Sequence, residues 1–224
     1  MNLERLARIL TVLAVVAAFA VAVWAYPRLP AQVPAHWNAA GKVDGYASRA
    51  WGAVGLPAIM LGLAVLLRGL PRIDPLRKNV EKFLAEYHVF VAVLELFMLG
   101  LYVQTIAWAL GTKISMNAVI SVGLGLLFLC VAWMIGRAKR NFFIGIRTPW
   151  TLMDDEVWAR THQLGSKLFY AAGGLCLVGA LVPEYTLWFL VAPALVAGLV
   201  PVFYSYFVYQ QRAPKNGMEG PPSR

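Results

Sequence analysis

The fold is decided by the segment 136–167, which reads GRAKRNFFIGIRTPWTLMDDEVWARTHQLGSK. It is the only charge-dense segment within the second half of a chain that is otherwise mostly apolar there. Apolar runs long enough to form membrane helices flank it on both sides. A charged segment between two such helices has to lie at a water-facing surface of the membrane. The rest of the chain is therefore organised around this loop.

The composition is that of an integral membrane protein. Of 224 residues, 60% are hydrophobic and 14% are charged, whereas a soluble domain has about 25% charged residues. The mean hydropathy is +0.64. The net charge of +9 comes from basic clusters beside the apolar runs, so membrane lipid is the expected counter-charge and direct nucleic-acid binding is not predicted. Both cysteines fall inside apolar runs, and no disulfide, metal or other cofactor is predicted.

Six apolar runs predict an all-α membrane protein with six transmembrane helices. The predicted spans are about 3–26, 51–70, 82–110, 116–135, 168–182 and 187–209. We interpret residues 1–70 as an N-terminal two-span module, 71–210 as a four-span module and 211–224 as a disordered cytoplasmic tail.

The distribution of basic residues predicts the orientation. Of the 20 Lys and Arg residues, sixteen fall on the side of the N-terminus and four, Arg28, Lys42, Arg49 and Lys113, fall on the other side. Cytoplasmic loops carry the excess of Lys and Arg. We therefore expect a multi-pass protein of the plasma membrane with both termini and the 136–167 loop in the cytoplasm.

The 136–167 loop is predicted to contain an interfacial helix between spans four and five. A capping pattern at 151–154 marks the start of this helix, and Asp154, Asp155 and Glu156 favour its positive end. Trp158 and His162 are four residues apart and so share one face. This segment is either a docking element for a cytosolic partner or an amphipathic helix that anchors the bundle.

The stretch NFFIGIRTPWTL at 141–152 is followed by Glu156, Trp158, Thr161 and His162. This pattern resembles the signature of the SdpI family, whose founding members are membrane immunity proteins against a secreted peptide toxin. The resemblance implies a toxin as an outer partner and a small winged-helix repressor, recruited to the membrane, as an inner one. It implies no cofactor. Within this signature, the predicted partner-binding motif consists of Asn141, Gly145, Arg147, Thr148, Pro149, Trp150, Trp158, Thr161 and His162.

The outer segment 27–49 resembles an uncharacterised module that often precedes the SdpI signature. The positions that carry this second resemblance and form the predicted outer site are Pro34, His36, Trp37, Asn38, Gly41 and Asp44. Three prolines in the segment exclude a regular helix. One His and one Asp are too few ligands for a zinc site, and these side chains can equally pack the loop on the membrane or contact a peptide.

Span three carries polar side chains at intervals of seven, among them His88 and Glu95. Such spacing places them on one stripe of a helix. A charge at the depth of Glu95 costs at least ~2.5 kcal/mol, so its side chain should face the bundle interior. It serves either a proton or substrate pathway or a hydrogen bond from the neutral acid to Ser121, Thr11 or a tyrosine.

No enzyme is predicted. His36, His88 and His162 fall at different levels of the membrane and cannot converge on one site, and neither a GxSxG element nor a P-loop is present. The sequence favours an immunity and receptor protein. A small proton-coupled transporter or channel that uses Glu95 is the alternative, and a structural protein of the cell envelope is a third class.

The predicted orientation can be tested with reporter fusions. Fusions at Lys42 and Lys113 should report the outside, because both positions lie on the side with few basic residues. Fusions at Arg72 and Lys139 are the matched cytoplasmic controls. A cytoplasmic signal from Lys42 or Lys113 would contradict the six-span arrangement.

Overall fold

The computed structural model describes residues 2–212, which form helices, one two-stranded hairpin and the irregular segments that connect them. Three single turns of 3-10 helix lie at Tyr26–Arg28, Glu81–Phe83 and Pro183–Tyr185. The regular elements are α1 Leu3–Ala25, β1 Gln32–Trp37, β2 Val43–Ser48, α2 Arg49–Ile73, α3 Arg77–Val80, α4 Leu84–Ala109, α5 Met116–Ile135, α6 Pro149–Met153, α7 Asp155–Gly179 and α8 Thr186–Arg212.

The chain is a multi-pass membrane protein. Within residues 2–212, five helical stretches are long and apolar enough to cross a membrane: Leu3–Arg28, Arg49–Ile73, Arg77–Ala109, Met116–Ile135 and Thr186–Arg212. They agree with five of the six predicted spans. Helix α7 does not reach this hydropathy because its first turns are charged, so the count of six spans stays a prediction.

Helix α7 differs from the prediction of an interfacial helix followed by a separate span. Residues 155–179 form one continuous helix of 25 residues, with Asp154 as its N-cap. The preceding turn, α6, begins at Pro149, and its capping box joins Thr148 to Thr151. The structure therefore has two caps where one was expected at 151–154. Thr148 caps α6, and Asp154 caps α7 by accepting from the backbone N–H groups of Glu156 and Val157.

The outer segment 27–49 is more regular than expected. Strands β1 and β2 pair antiparallel, and the register shifts near His36. Pro34 is tolerated because both strands are edge strands. Exposed and half-buried residues alternate along Val43–Ser48, which is the period of a strand with one covered face. The hairpin turn places Gly41 at φ +71°, a conformation that favours glycine.

Two buried clusters form the apolar core. The first joins α1, α2, β1 and the C-terminal half of α4 and includes Ala18, Met60 and Tyr102. The second joins the N-terminal half of α4, α5, the start of α7 and the segment between α5 and α7, residues 136–154, which we call the 136–154 loop. This cluster includes Tyr87 and Trp158. Helix α4 therefore contributes to both clusters. The boundary at residue 70 between two modules stays a prediction.

Contacts between distant segments define the two ends of the bundle. At one end, Asn79 Nδ2 donates to the Arg140 carbonyl at 2.9 Å, and the Arg212 guanidinium contacts Asp154 at 3.0 Å. At the other end, Asn117 Nδ2 donates to the Ala39 carbonyl at 3.3 Å. The basic segments thus lie at one end of the bundle and the hairpin lies at the other, as the distribution of Lys and Arg predicts. Which end faces the cytoplasm stays a prediction.

The last helix is longer than the sixth predicted span, since α8 continues to Arg212 and so includes the first two residues of the predicted tail. The rest of the tail expected to be disordered, 213–224, lies outside the described residues.

Helices α5 and α7 pack most closely at two glycines, and this contact is testable. A Cβ on Gly173 would lie 2.9 Å from the Gly125 carbonyl and 2.8 Å from Leu129. We expect Gly173→Ala to lower stability by about 1–3 kcal/mol through overpacking, measured as the midpoint of thermal unfolding in detergent.

Gly174→Ala is the matched control, because a Cβ at Gly174 has no neighbour within 4 Å. That variant should unfold at or slightly above the wild-type temperature, since alanine favours helix. Equal midpoints for the two variants would show that the close approach at Gly173 is not limiting.

Candidate functional site

Asn141 organises the backbone of the 136–154 loop. Its side chain is completely buried. The amide nitrogen donates to the carbonyls of Lys139 and Ile144, both at 2.9 Å. The amide oxygen accepts from the backbone N–H groups of Phe143 at 3.0 Å and Ile144 at 2.6 Å. Both donors and the acceptor of the amide are thus used within the loop, so Asn141 fixes its shape from inside.

The segment between α2 and α4 clamps the loop from outside. Asp74 is buried; its Oδ2 accepts from the Phe142 N–H at 2.9 Å and its Oδ1 from the Leu76 N–H at 2.7 Å. Asn79 donates to the Arg140 carbonyl. The bonds to Phe142 and Arg140 join segments that are more than 60 residues apart. Asp74 and Asn79 were not predicted from the sequence, because neither residue lies in the signature.

Trp158 and His162 form the inner wall behind the loop. Their rings are stacked with centroids 4.0 Å apart, and both side chains are 2% exposed. Trp158 Nε1 donates to the Ala138 carbonyl at 2.9 Å. His162 Nε2 accepts from the Ile146 N–H at 3.0 Å, and Nδ1 lies 2.8 Å from the Trp158 carbonyl. The imidazole therefore carries its proton on Nδ1.

His162 stays uncharged because of its surroundings. Burial lowers the pKa of His162 to about 4, and the bond to the Trp158 carbonyl opposes this shift only in part. The residue precedes the predicted fifth span. At neutral pH the ring is neutral, so Nε2 remains an acceptor for the loop backbone.

Gly145 is required by this packing. Its φ is +106°, and a Cβ there would lie 2.4 Å from His162 Nε2. Both the backbone conformation and the close approach exclude other residues at this position.

Thr148, Pro149 and Trp150 connect the loop to α8. Thr148 Oγ1 lies 3.0 Å from Ser205 Oγ, and Pro149 is the first residue of α6. The ring of Trp150 packs edge-on against Tyr206 with centroids 5.1 Å apart. Thr161 is also buried, and its hydroxyl has no hydrogen-bond partner among residues 2–212.

Arg147 is the exposed charged side chain of the motif. Its Nη1 donates to the Phe142 carbonyl at 3.1 Å. No carboxylate lies within 4 Å of it in the described part of the chain. The side chain of Phe142 is 44% exposed and that of Met153 is 66% exposed. Arg147 and these two apolar side chains are thus available to a partner, whereas Trp158 and His162 are not.

A polar cavity of about 390 Å³ lies beside the loop. Lys82, Lys139 and Arg140 line it together with Asp155. Arg140 Nε lies 2.7 Å from Asp155 Oδ1, and its Nη1 donates to the Leu152 carbonyl. The two lysines leave the cavity with a positive charge that is suited to an acidic group.

The residues of the predicted outer site lie together on the hairpin, away from the 136–154 loop. Asn38 caps the turn, because its Oδ1 accepts from the N–H groups of Ala40 and Lys42. His36 Nδ1 lies 2.5 Å from Asp44 Oδ1 across the two strands, with both side chains exposed. Trp37 packs edge-on against Trp108 of α4.

In residues 2–212 no group of three or more metal-ligating side chains is present.

The two polar residues of α4 have different surroundings. His88 Nδ1 lies 2.9 Å from the Leu84 carbonyl and 3.7 Å from Glu4 of α1. Glu95 is completely buried, and in the described chain neither carboxyl oxygen has a hydrogen-bond partner. The hydrogen bond expected from Glu95 to Thr11 or Ser121 is absent there: Thr11 donates to the Ala7 carbonyl, and Ser121 is unpaired.

Comparisons with known proteins match both halves of the chain. Residues 137–205 match the SdpI/YfhL protein family, and residues 13–61 match a domain of unknown function, DUF1648. The chain is 24% identical over 204 residues to the immunity protein SdpI of Bacillus subtilis (strain 168), covering 91% of this chain and 96% of that protein. No solved structure matches.

The first match begins one residue after the start of the 136–154 loop and ends at Ser205, the residue that holds Thr148. The second covers most of α1, the hairpin and the first half of α2. Together with the similarity to an immunity protein along nearly the whole chain, these matches confirm the predicted resemblance: residues 137–205 match the SdpI family, and residues 13–61, ahead of them, match DUF1648.

Proposed function

We propose that this chain is a membrane immunity protein that protects its cell against a membrane-active peptide and acts as a receptor through the 136–154 loop. The observation that carries the proposal is the similarity to an immunity protein over 91% of the chain. This similarity includes both the outer hairpin and the 136–154 loop, so both proposed binding faces have corresponding segments in the relative. The mechanism we propose is binding at two faces, not catalysis.

The loop side is proposed to be cytoplasmic. The basic segments 68–82 and 136–167 are joined at one end of the bundle, with Arg137 3.6 Å from Glu86 and Asn79 bonded to Arg140. Concentrated positive charge at one end favours the cytoplasmic side. The second half of α7 then serves as the fifth of six spans, and both termini are cytoplasmic.

The docking surface for a cytosolic partner is proposed to be the exposed side of the loop, around Arg147, Phe142 and Met153. The loop backbone is held by Asn141, Asp74 and His162, so little conformational entropy is lost when a partner binds. Arg147 offers a planar guanidinium for a carboxylate. The predicted contacts Trp158 and His162 support this surface from below and are positioning residues. A small winged-helix repressor is the class of partner that the family resemblance suggests.

The outer hairpin is proposed to meet the peptide. His36, Asp44 and Tyr46 are exposed on it, and the hairpin is held to α4 by Trp37 and to α5 by Asn117. Its two edge strands present backbone groups to which an extended peptide can pair.

The alternative of a proton-coupled transporter or channel using Glu95 is less favoured. A proton carrier has to exchange with water, and Glu95 is completely buried between the helices.

The experiment that tests the immunity proposal is survival of cells that lack an immunity protein of this family. Expression of the chain should protect them against the secreted peptide of the founding system or against a member of a panel of membrane-active peptides. Cells with an empty vector are the control. Unchanged sensitivity to every peptide, with the protein present in the membrane, would contradict the proposal.

The docking surface predicts a distinct result for Arg147→Lys. Lysine keeps the charge but loses the two-pronged contact, so recruitment of the winged-helix repressor of the founding system should fall about tenfold or more. Membrane abundance should stay normal, because the bundle does not depend on this side chain. The measurement is the membrane fraction of the tagged repressor.

Arg72→Lys is the matched control, since Arg72 is exposed on the same side but outside the loop. Trp158→Ala should lower both recruitment and abundance, because it removes the bond to Ala138 and the stacking on His162. Normal recruitment by Arg147→Lys together with low abundance of Trp158→Ala would mean that the segment only anchors the bundle.

A further inference from the structure

A crevice lies between α1, α2 and α4 at the end of the bundle that holds the N-terminus, far from the outer hairpin. Its volume is about 260 Å³. The apolar walls come from valines of α1 and from the facing turns of α2, among them Val12, Val16 and Val65. These three side chains are 53%, 57% and 66% exposed, so the crevice opens sideways towards the hydrocarbon of the membrane.

One end of the crevice is polar and positively charged. Arg8 of α1, Arg68 of α2 and His88 of α4 line it there. Glu4 is the nearby acid: its Oε1 lies 3.6 Å from Arg8 Nη1 and 3.7 Å from His88 Nδ1. Arg68 has no carboxylate within 4 Å among residues 2–212. Two guanidinium groups therefore line this end of the crevice, only that of Arg8 has a carboxylate partner among the described residues, and the rim is short of negative charge.

The dimensions of the crevice match one acyl chain of a lipid. The lining residues of α1 run from Arg8 to Val16, which is about 12 Å along a helix. A ligand that fits has an anionic head at the two arginines and an apolar tail that continues into the bilayer. A soluble anion would leave the valine walls uncovered, and a neutral lipid would leave Arg68 without a counter-charge.

We propose that this crevice binds one anionic phospholipid, with its phosphate on Arg8 and Arg68 and one acyl chain between α1 and α2, taken from the leaflet on the N-terminal side. The site is independent of the proposed immunity function. It ties α1 and α2 to α4 at their basic ends, where arginine side chains would otherwise repel each other.

The test is native mass spectrometry of the full chain with added phosphatidylglycerol or phosphatidylcholine of the same acyl chains. Wild-type protein should retain one phosphatidylglycerol more strongly than phosphatidylcholine. Arg68→Ala should lower phosphatidylglycerol retention about fivefold, since one basic residue at a membrane surface contributes about that factor. Arg72→Ala, an exposed neighbour on α2 that does not line the crevice, is the charge control.

A second pair of variants tests the apolar part. Val12→Phe should fill the crevice from its lipid side and lower retention of phosphatidylglycerol. Leu13→Phe is the matched control, because Leu13 is 56% exposed but is not a lining residue. Both positions are exposed to lipid, so the bundle should tolerate the change, which thermal unfolding checks.

Three results would overturn the proposal. Equal retention by Arg68→Ala and Arg72→Ala would mean diffuse attraction to the basic surface. Equal retention by Val12→Phe and Leu13→Phe would mean that no acyl chain enters the crevice. Displacement of the lipid by soluble glycerol phosphate would show that the arginines bind a phosphate without any chain.

Discussion

The structure depends on hydrogen bonds that satisfy the irregular backbone between α5 and α7. Buried N–H and C=O groups need partners, and at the edge of a membrane water is not available to all of them. The 136–154 loop meets this constraint with side chains: Asn141 bonds its own turn, Asp74 accepts from Phe142, and His162 accepts from Ile146. Its shape is therefore fixed without regular structure.

This solution divides the residues of the signature into two groups. Asn141, Gly145 and His162 face inward, where each has one acceptable geometry, and the lowered pKa of His162 keeps its acceptor nitrogen free of a proton. Arg147 and Phe142 face outward, where their side chains can contact a partner. Most residues of this signature therefore stabilise the conformation of the loop, and fewer of them are exposed for contact with a partner.

Much of the bundle could be predicted because lipid forces the backbone into helices wherever an apolar run is long enough. The face shared by Trp158 and His162 followed from their spacing, but its burial did not, because the loop that covers it is not periodic. The continuity of α7 was hidden by the charges of its first turns. The hairpin was hidden by prolines that exclude a helix and yet allow edge strands, and the alternation in Val43–Ser48 was the available signal. The bond between Asp74 and Phe142 gave no local signal, since the two residues are 68 positions apart.

Helix α4 packs against both of the segments that the family comparisons match. It lies outside both matched segments, yet Tyr102 donates to the Ala53 carbonyl of α2, while Glu86 contacts Arg137 beside the loop. The same helix also carries His88 to the crevice between α1 and α2. The two ends of α4 thus pack into different cores. Because each core needs one half of this helix, a chain cut at residue 70 would leave the first module without the side chains that bury α1 and α2.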